Sequence, residues 1–480
     1  MNLRTAILLL PDALLLLAPF VVLFVDLFFN PRHDARPVVR ALSLVLLAVG
    51  VALGCALACG AREVIFLHAY RVAPWMLWFK VCFVGAALLA ARMAEACFAV
   101  EDGHPARLTR PGEFFTLIAF AAGGMSVTVS ALDLITLFIG LEMATIPLYV
   151  LAGFYRRHAD AAEGAMKYII MGSLATAFVL FGYSLLYGAT GHVQFSAIAA
   201  YLAQHPGDPL IRAAALFIFT AAAFKLALAP FHMWAPDVYH GAPLPIAAFL
   251  STASKAAAAG FLVVLFYGPL APVRPALAPV LAILAAVTML VGNLGSLRQE
   301  NFRRFMAYSS IAQAGYLLMA FLAEREFAVG ALLYFLIVYI VANLAAFFVF
   351  ATVRGDGVAA VNGLARTNPA LAAVLMLAFF SLAGVPPLAG FNGKFWLFTA
   401  AAGSGHYALV LFAVLNSVVA LYYYMNIIRA AYIEPPAADA RPVTVPRATA
   451  AVLALLAALL LALALCPAFN RALFAAAASP

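Results

Sequence analysis

Long apolar segments with few or no charged residues recur from one end of the chain to the other. Windows of about 20 residues give roughly fourteen such segments. Their approximate limits are 8–29, 39–59, 74–99, 113–130, 132–154, 164–188, 210–234, 245–267, 276–296, 304–323, 327–353, 369–398, 406–430 and 448–468. A helix of this length crosses the hydrocarbon core of a bilayer with its backbone hydrogen-bonded internally. The sequence therefore predicts an all-α polytopic membrane protein with about fourteen transmembrane helices.

The composition excludes a soluble globular protein. Of the 480 residues, 66% are hydrophobic and 10% are charged, whereas about a quarter of a typical soluble chain is charged. The net charge of +8 does not indicate a nucleic-acid partner, because most arginines lie in the short links between apolar segments. The five cysteines lie in or beside apolar segments without a CxxC pair, which favours packing over a redox or metal role.

The arginines also predict how the chain is threaded through the membrane. The odd-numbered links hold 14 of them and the even-numbered links hold 5. Because cytoplasmic links carry the excess of positive charge, the odd-numbered links are expected in the cytoplasm. An even number of spans then puts both termini outside.

Two of the predicted spans are interrupted. Span seven contains Pro230, and span twelve contains Pro386 and Pro387 together with three glycines. Proline removes a backbone donor and clashes with the preceding turn, so both helices are expected to break. Broken helices five spans apart predict two inverted five-helix repeats, spans four to eight and nine to thirteen, with the transport site at the breaks.

The predicted spans group into four parts along the chain. Residues 1–110 hold spans one to three, residues 111–270 the first repeat, residues 271–433 the second repeat, and residues 434–480 span fourteen. The two repeats share little sequence, with "PFHMW" and "GFNGKFW" as the best alignment. Their pairing therefore depends on topology more than on identity.

Four ionisable side chains lie at membrane depth within the repeats. They are Glu142 in span five, Lys225 in span seven, Lys255 in span eight and Lys394 in span twelve. A charge at this depth costs at least about 2.5–3.5 kcal/mol, so four of them indicate function. A nearby carboxylate stabilises a buried ammonium group, and separating the two favours release of the proton. The set is suited to proton translocation, with Lys255 as a relay between two half-channels.

Several neighbours are secondary candidates. Ser251 and Thr252 lie one turn before Lys255, on the same side of the helix. His232 follows Pro230 closely and can either relay protons or bond the freed backbone. Lys167, at the start of span six, can serve proton uptake or extend to the interface.

Span three carries two further ionisable residues. Lys80 and Glu95 are about 22 Å apart along a helix axis, so they cannot pair directly. Each is expected to extend to a membrane interface.

Three long stretches resemble the subunit N family of the bacterial proton-pumping NADH:quinone oxidoreductase, respiratory complex I. The mitochondrial counterpart is NADH dehydrogenase subunit 2. The stretches are "FHMWAPDVYHGAPLPIAAFLSTASKAAA" (231–258), "GNLGSLRQENFRRFMAYSSIAQAGYLL" (292–318) and "SLAGVPPLAGFNGKFWLF" (381–398). Sister subunits L and M and the multisubunit sodium/proton antiporters share the broken helices and buried lysines, but "PDVYHGAP" followed by "TASK" is similar to subunit N.

The resemblance implies fourteen spans with two inverted repeats, and a proton path. In this path Glu142 pairs with Lys225, Lys255 is central, and Lys394 lies toward the periplasmic exit. Many members of the family have a histidine in span ten where this chain has Gln313. Glutamine does not titrate, so that step would depend on water and hydrogen bonding.

The implied function is that of a proton-translocating, antiporter-like subunit of an NADH:quinone oxidoreductase, a non-redox part of a translocase coupled to quinone reduction elsewhere. The chain has no GxGxxG opening a βαβ unit and no clustered cysteines. NADH, FMN, iron–sulfur clusters and quinone are therefore expected in partner subunits. The expected partners are other membrane-arm subunits, such as M, K and J, in the lipid bilayer of a bacterial inner membrane, with both termini periplasmic.

Two other functions stay open from the sequence. One is a subunit of a multisubunit cation/proton antiporter, and the other is the membrane arm of an energy-converting hydrogenase or formate-oxidising complex. A scaffold without transport is a third reading, and the four buried charges argue against it. Co-purification of partners would separate them.

Overall fold

Helices make up nearly all of the described chain. The computed structural model describes residues 3–30, 34–60, 62–66, 68–98, 110–155, 158–205, 207–436 and 442–479. The helices are α1 (Leu3–Phe29), α2 (Ala35–Cys59), α3 (Pro74–Phe98), α4 (Pro111–Ser130), α5 (Leu134–Ala152), α6 (Ala159–Thr190), α7 (Phe195–Gln204), α8 (Pro209–Leu226), α9 (Trp234–Gly241), α10 (Leu244–Phe249), α11 (Lys255–Phe266), α12 (Arg274–Ser296), α13 (Phe302–Leu318), α14 (Arg325–Val353), α15 (Leu364–Thr367), α16 (Pro369–Ala383), α17 (Ala389–Gly403), α18 (Tyr407–Tyr432), α19 (Arg447–Leu465) and α20 (Pro467–Ala477). One antiparallel hairpin, β1 (Glu63–Ile65) with β2 (Tyr70–Val72), lies between α2 and α3.

The number of spans agrees with the sequence. Thirteen helical segments within the described ranges are long and apolar enough to cross a membrane. One of them joins α10 and α11 through a π-helical turn, Leu250–Ser254, and another extends α13 through the 3₁₀ turn Met319–Leu322. The 15-residue helices α16 and α17 are each too short alone and together form one more span. The prediction of an all-α membrane protein with about fourteen spans is confirmed.

Both predicted helix breaks are present. The α8 helix ends at Leu226, where Ala227 adopts a left-handed conformation with φ 57°, and helix resumes only at Trp234. The α16 helix ends at Ala383, and Gly384 has φ 86°, a conformation that favours glycine. Each break leaves carbonyl groups at a helix C-terminus without partners in the helix itself.

Small residues bring α4 and α5 into close contact. A side chain at Gly124 would overlap the backbone of Ala144, and one at Gly140 would meet Thr128. Backbones approach this closely where small residues line a membrane interface. Because Gly140 and Ala144 face α4, Glu142 between them is directed toward α6.

Even-numbered links contact other even-numbered links, and odd-numbered links contact other odd-numbered links. Tyr70 in the second link bridges to Ala131 in the fourth, and Asn301 in the ninth bridges to Gly357 in the eleventh. Alternate links therefore lie at opposite ends of the bundle, as a chain threaded back and forth requires.

The prediction for Lys80 is wrong. Its ammonium group is 1% exposed and forms a 2.7 Å ion pair with Asp12 of α1, instead of extending to an interface. The Asp12 carboxylate also accepts a 2.5 Å hydrogen bond from Ser126 of α4, and Lys80 contacts the Tyr70 hydroxyl at 3.3 Å. Glu95 pairs with Arg92, one turn earlier on α3, at 2.7 Å. The Asp12–Lys80 pair therefore ties α1, α3 and α4 together.

Candidate functional site

Lys225 lies in the last turn of α8, next to the first break. Its side chain is partly buried, and its ammonium group donates to the hydroxyl of Thr145 on α5. That hydroxyl in turn donates to the carbonyl of Leu141 at 2.5 Å. Thr145 is 2% exposed, so the lysine is held on a buried hydroxyl between two helices.

Glu142 lies close to Lys225 without touching it. Its carboxylate accepts a 2.9 Å hydrogen bond from Thr176 of α6, and Thr145, one turn further along α5, binds Lys225. The direct Glu142–Lys225 ion pair implied by the family resemblance is not formed in this structure. The ammonium group of Lys225 instead binds the hydroxyl of Thr145, so Glu142 and Lys225 are neighbours with separate hydrogen-bond partners.

Lys255 is directed at the first break from the other side. It is 3% exposed, begins α11 directly after the π-helical turn, and donates a 2.6 Å hydrogen bond to the carbonyl of Leu226. Leu226 is the last residue of α8, so its carbonyl is one of those freed by the break. The partner that a charge needs at this depth is thus supplied by the end of the broken helix.

The hydroxyl groups of Ser251 and Thr252 form no hydrogen bond with the Lys255 ammonium group. Their hydroxyl groups both donate to the carbonyl of Ala248, at 2.8 and 2.7 Å. Both residues are fully buried within the π-helical turn, a feature that occurs frequently at functional sites. Their observed bonds shape the helix just ahead of Lys255.

Two residues that the sequence did not single out fix the first break. The indole nitrogen of Trp234 donates to the carbonyl of Phe224 at 3.0 Å. The backbone nitrogen of Ala229 donates to the buried hydroxyl of Thr288 on α12 at 3.0 Å. No pattern in the sequence marks Trp234 or Thr288, because their partners are distant or depend on the fold of the break itself.

The second break carries Lys394 and Gln313 in a matching arrangement. Lys394 is 4% exposed and donates at 3.0 Å to the carbonyl of Ala383, the last residue of α16. Gln313 of α13 donates at 3.0 Å to the preceding carbonyl, that of Leu382. The Lys394 ammonium also lies 4.6 Å from the centre of the Tyr316 ring, a favourable position for a cation.

A polar network surrounds Gln313. Its amide also contacts the hydroxyl of Tyr424 at 3.4 Å, and that hydroxyl bonds Ser309 at 2.5 Å. Nearby, Asn293 of α12 bonds Asn416 of α18 at 3.0 Å. Uncharged polar groups thus hold α12, α13 and α18 together around the second break.

Of the remaining candidates, Lys167 lies near the end of the bundle that holds the odd-numbered links, and His232 lies in the first helix break. Lys167 pairs with Asp237 and with Glu163, both at 2.6 Å, and Asp237 also binds Arg304 at 2.7 Å. Burial alone would raise the pKa of Asp237, but the hydrogen bonds from Lys167 and Arg304 outweigh it and hold the pKa below its ordinary value. His232 is half-buried, and its Nδ1 has no hydrogen-bond partner among the described residues.

The residues of the site do not resemble a metal centre. Within the described ranges, no three His, Cys, Asp or Glu side chains are grouped so as to hold a metal ion. What the structure brings together is three lysines and one carboxylate near two helix breaks, a set that can hold and pass protons.

Comparisons with known proteins identify the family of this chain. The family described as "NADH:quinone oxidoreductase/Mrp antiporter, TM" matches residues 131–420, which include Glu142, Lys225, Lys255 and Lys394. The NADH-quinone oxidoreductase subunit N of Phocaeicola vulgatus is 37% identical over 439 residues, covering 90% of this chain and 90% of the relative.

Two solved structures share the fold. A chain of respiratory complex I from Thermus thermophilus is 32% identical, with a TM-score of 0.81, and the match covers 96% of this chain and 99% of that one. A chain of the Mrp complex from Dietzia sp. has a TM-score of 0.85 at 22% identity, covering 99% of this chain and 97% of that one. The second likeness concerns the fold alone. This chain belongs to the NADH:quinone oxidoreductase/Mrp antiporter transmembrane family.

Proposed function

We propose that this chain is the proton-translocating, antiporter-like subunit N of an NADH:quinone oxidoreductase complex. The observation that carries the proposal is the position of the buried lysines. Lys255 and Lys394 bond the terminal carbonyls of two broken helices, and Lys225 lies one residue before the first of those carbonyls. Ionisable groups inside a membrane mark transport paths, and broken helices mark the sites of transporters.

The proposed mechanism begins with Glu142 and Lys225. In the described state each has its own threonine partner, so a small shift of α5 against α8 changes their separation. Approach of the carboxylate favours the charged lysine, and withdrawal favours release of its proton. Lys255 is then the acceptor on the other side of the break, and Lys394 passes the proton to the exit. The chain supplies only proton transfer in this scheme.

Redox chemistry is assigned to partner subunits. NADH, FMN, iron–sulfur clusters and quinone would bind there, and other membrane-arm subunits would pack against this chain in a bacterial inner membrane.

The arginine distribution supports cytoplasmic odd-numbered links and periplasmic termini. Cys59 is exposed at the end of α2 nearest the second link. A membrane-impermeant maleimide added on the periplasmic side should therefore label it. Labelling only from the cytoplasmic side would show that the chain has the opposite orientation.

The antiporter alternative has weaker support. The Dietzia Mrp chain shares 22% identity, against 37% for the subunit N relative from Phocaeicola vulgatus. An energy-converting hydrogenase arm would predict a nickel-containing partner, so co-purification and metal analysis would reveal it.

The decisive experiment replaces Lys225 with alanine. Loss of both NADH:quinone activity and acidification of membrane vesicles is expected, with the complex still assembled on a native gel. The matched control is Arg212→Ala, which removes a positive charge from the exposed first turn of the same helix and should leave both activities intact. Wild-type pumping by the Lys225→Ala complex would overturn the assignment of Lys225.

A further inference from the structure

A groove opens between α3 and α19 at the end of the bundle that holds the odd-numbered links. Both helices pack on α14, which forms the floor of the groove. Two adjoining cavities of about 290 and 330 Å³ lie in it, and Ala96, Pro446 and Thr449 line both of them. Together they are large enough for a ligand, since ligand sites span about 300–1,000 Å³.

The C-terminal helix α20 closes the groove at its other end. It follows directly after α19. Phe469 of α20 contacts Trp78, near the start of α3, with 5.7 Å between the ring centres, and Phe474 lies against Gly330 of α14. The groove is therefore entered from the end of the odd-numbered links and from the lipid alongside.

The rim of the groove is positively charged. Arg36, Arg92 and Arg354 line the two cavities, and Glu95 is the only acidic side chain among the described residues that do so. Glu95 is paired with Arg92 at 2.7 Å. The guanidinium groups of Arg36, at the start of α2, and Arg354, directly after α14, remain to attract an anion, one in each cavity.

The N-terminus of α19 adds to this positive potential. The helix begins at Arg447, after Pro446, without a side-chain cap, so the N–H groups of its first turn have no partners in the helix. Thr449 in this turn is 7% exposed, and its hydroxyl forms no hydrogen bond with a described residue. Anions bind at helix ends of this kind, and here the hydroxyl and the two arginines surround the same space.

The deeper part of the groove is apolar. Phe348 of α14 lies between one and two turns before Arg354, and Val452 of α19 lies about one turn after Thr449; both line the cavity that holds Arg36. A small inorganic anion would gain nothing from these side chains, whereas a hydrocarbon chain gains free energy by covering them. The charged rim and the apolar floor together fit a ligand in which an anionic group and a hydrocarbon chain are joined.

We propose that this groove binds one acidic phospholipid, with its phosphate between Arg36, Arg354 and the N-terminus of α19 and an acyl chain along Phe348 and Val452. In the proposed orientation the groove opens to the cytoplasmic leaflet, where anionic lipids are found and where basic pockets between transmembrane helices bind their head groups. The lipid fills the gap between α3 and α19 and joins them across α14. The inference does not depend on proton translocation.

The test is photolabelling of the purified whole complex in phosphatidylcholine vesicles that contain a small fraction of photoactivatable phosphatidylglycerol. The reference lipid is photoactivatable phosphatidylcholine with the same acyl chains. Phosphatidylglycerol should label peptides of α14 and α19 severalfold more than the reference lipid does. Arg36→Gln and Arg354→Gln should each reduce this labelling about fivefold, the factor expected for the loss of one arginine near an acidic lipid.

The matched control is Arg366→Gln. Arg366 is an exposed arginine of α15 at the same end of the bundle and lines neither cavity. Its replacement removes the same charge and should leave the labelling unchanged. Lys225→Ala should also be labelled like the wild type, so the lipid site is tested separately from the proposed function.

Two further measurements distinguish a lipid from a free phosphate ion. Ala96 lines both cavities, so Ala96→Phe fills the groove without changing its charge and should reduce labelling about as strongly as the arginine variants do. An excess of inorganic phosphate should not displace the lipid, because a free ion lacks the chain. The arginine variants change only side chains at the rim, so they test the site whether or not the Ala96→Phe complex assembles.

The outcomes that contradict the proposal are distinct. Equal labelling by the two lipids, or wild-type labelling in both Arg36→Gln and Arg354→Gln, overturns it. An equal loss in Arg366→Gln also overturns it, because that result indicates a general effect of surface charge. Displacement by inorganic phosphate replaces the lipid site with a site for a soluble anion.

Discussion

At the scale of single residues, the lysines of the site differ in what they bond. Lys255 and Lys394 bond backbone carbonyls at the helix breaks, whereas Lys225 bonds the side chain of Thr145. A backbone acceptor cannot be removed by mutation without altering the helix. The side-chain acceptor can be removed, so replacing Thr145 is the most direct test of the proposed first proton-transfer step.

Replacing Thr145 with valine keeps the shape of the side chain and removes its hydroxyl. A hydrogen bond to a charged group contributes about 1.5–3 kcal/mol, and each 1.4 kcal/mol is a factor of ten. Vesicle acidification should therefore slow on the order of tenfold. Thr145→Ser restores the acceptor and should restore the rate. Equal rates in the valine variant and the wild type would show that Lys225 does not depend on this bond.

At the scale of helices, close packing sets the second break. Gly390, near the start of α17, lies so close to the carbonyl of Ser381 on α16 that a side chain would overlap it. Gly403, at the other end of α17, has nothing within 4 Å of where a side chain would begin. Gly390 and Gly403 thus differ in whether a methyl group fits.

The Gly390→Ala change is expected to destabilise the break by about 1–3 kcal/mol, the usual range for overpacking. Gly403→Ala should be neutral, since it adds a methyl group in open space. The yield of assembled complex and its thermal melting temperature measure both. A neutral Gly390→Ala variant would mean that α16 and α17 shift apart easily.

The sequence predicts the helices better than it predicts the contacts between them. Hydropathy and proline position are local properties, so the spans and both breaks follow from the sequence. The partners of Lys225 and Lys80 are 80 and 68 residues away in sequence and depend on how each helix is rotated against its neighbours. Thr145 lies one turn after Glu142 on the same helix, so the sequence does indicate that its hydroxyl lies near the site. Nothing comparable indicates Asp12 for Lys80.

At the scale of the whole molecule, Asp237 connects the two halves of the bundle. It binds Lys167 of α6 and Arg304 of α13. Together these contacts hold the pKa of Asp237 below its ordinary value even though burial alone would raise it. The stability they contribute is present above the unfolded-state pKa, about 3.9, and is lost only as the pH falls through the lower folded-state value.

The Asp237→Asn variant should therefore lower the melting temperature of the purified complex equally at about pH 8 and pH 5.5, both well above that range. The loss should be small, because partly exposed ion pairs contribute little. Glu163→Gln, which removes the more exposed partner of Lys167, is the control and should have a smaller effect. A difference between wild type and Asp237→Asn that vanishes at the lower pH would contradict the lowered pKa.

The buried Asp12–Lys80 pair has a consequence for how the chain enters the membrane. Each partner alone would place an unpaired charge in lipid, at a cost of at least about 2.5–3.5 kcal/mol, and α1 is made well before α3. We therefore expect the first helix to remain near the insertion machinery until Lys80 emerges. We expect the first three helices to insert cooperatively, and a change that neutralises only one member of the pair to reduce the amount of inserted protein.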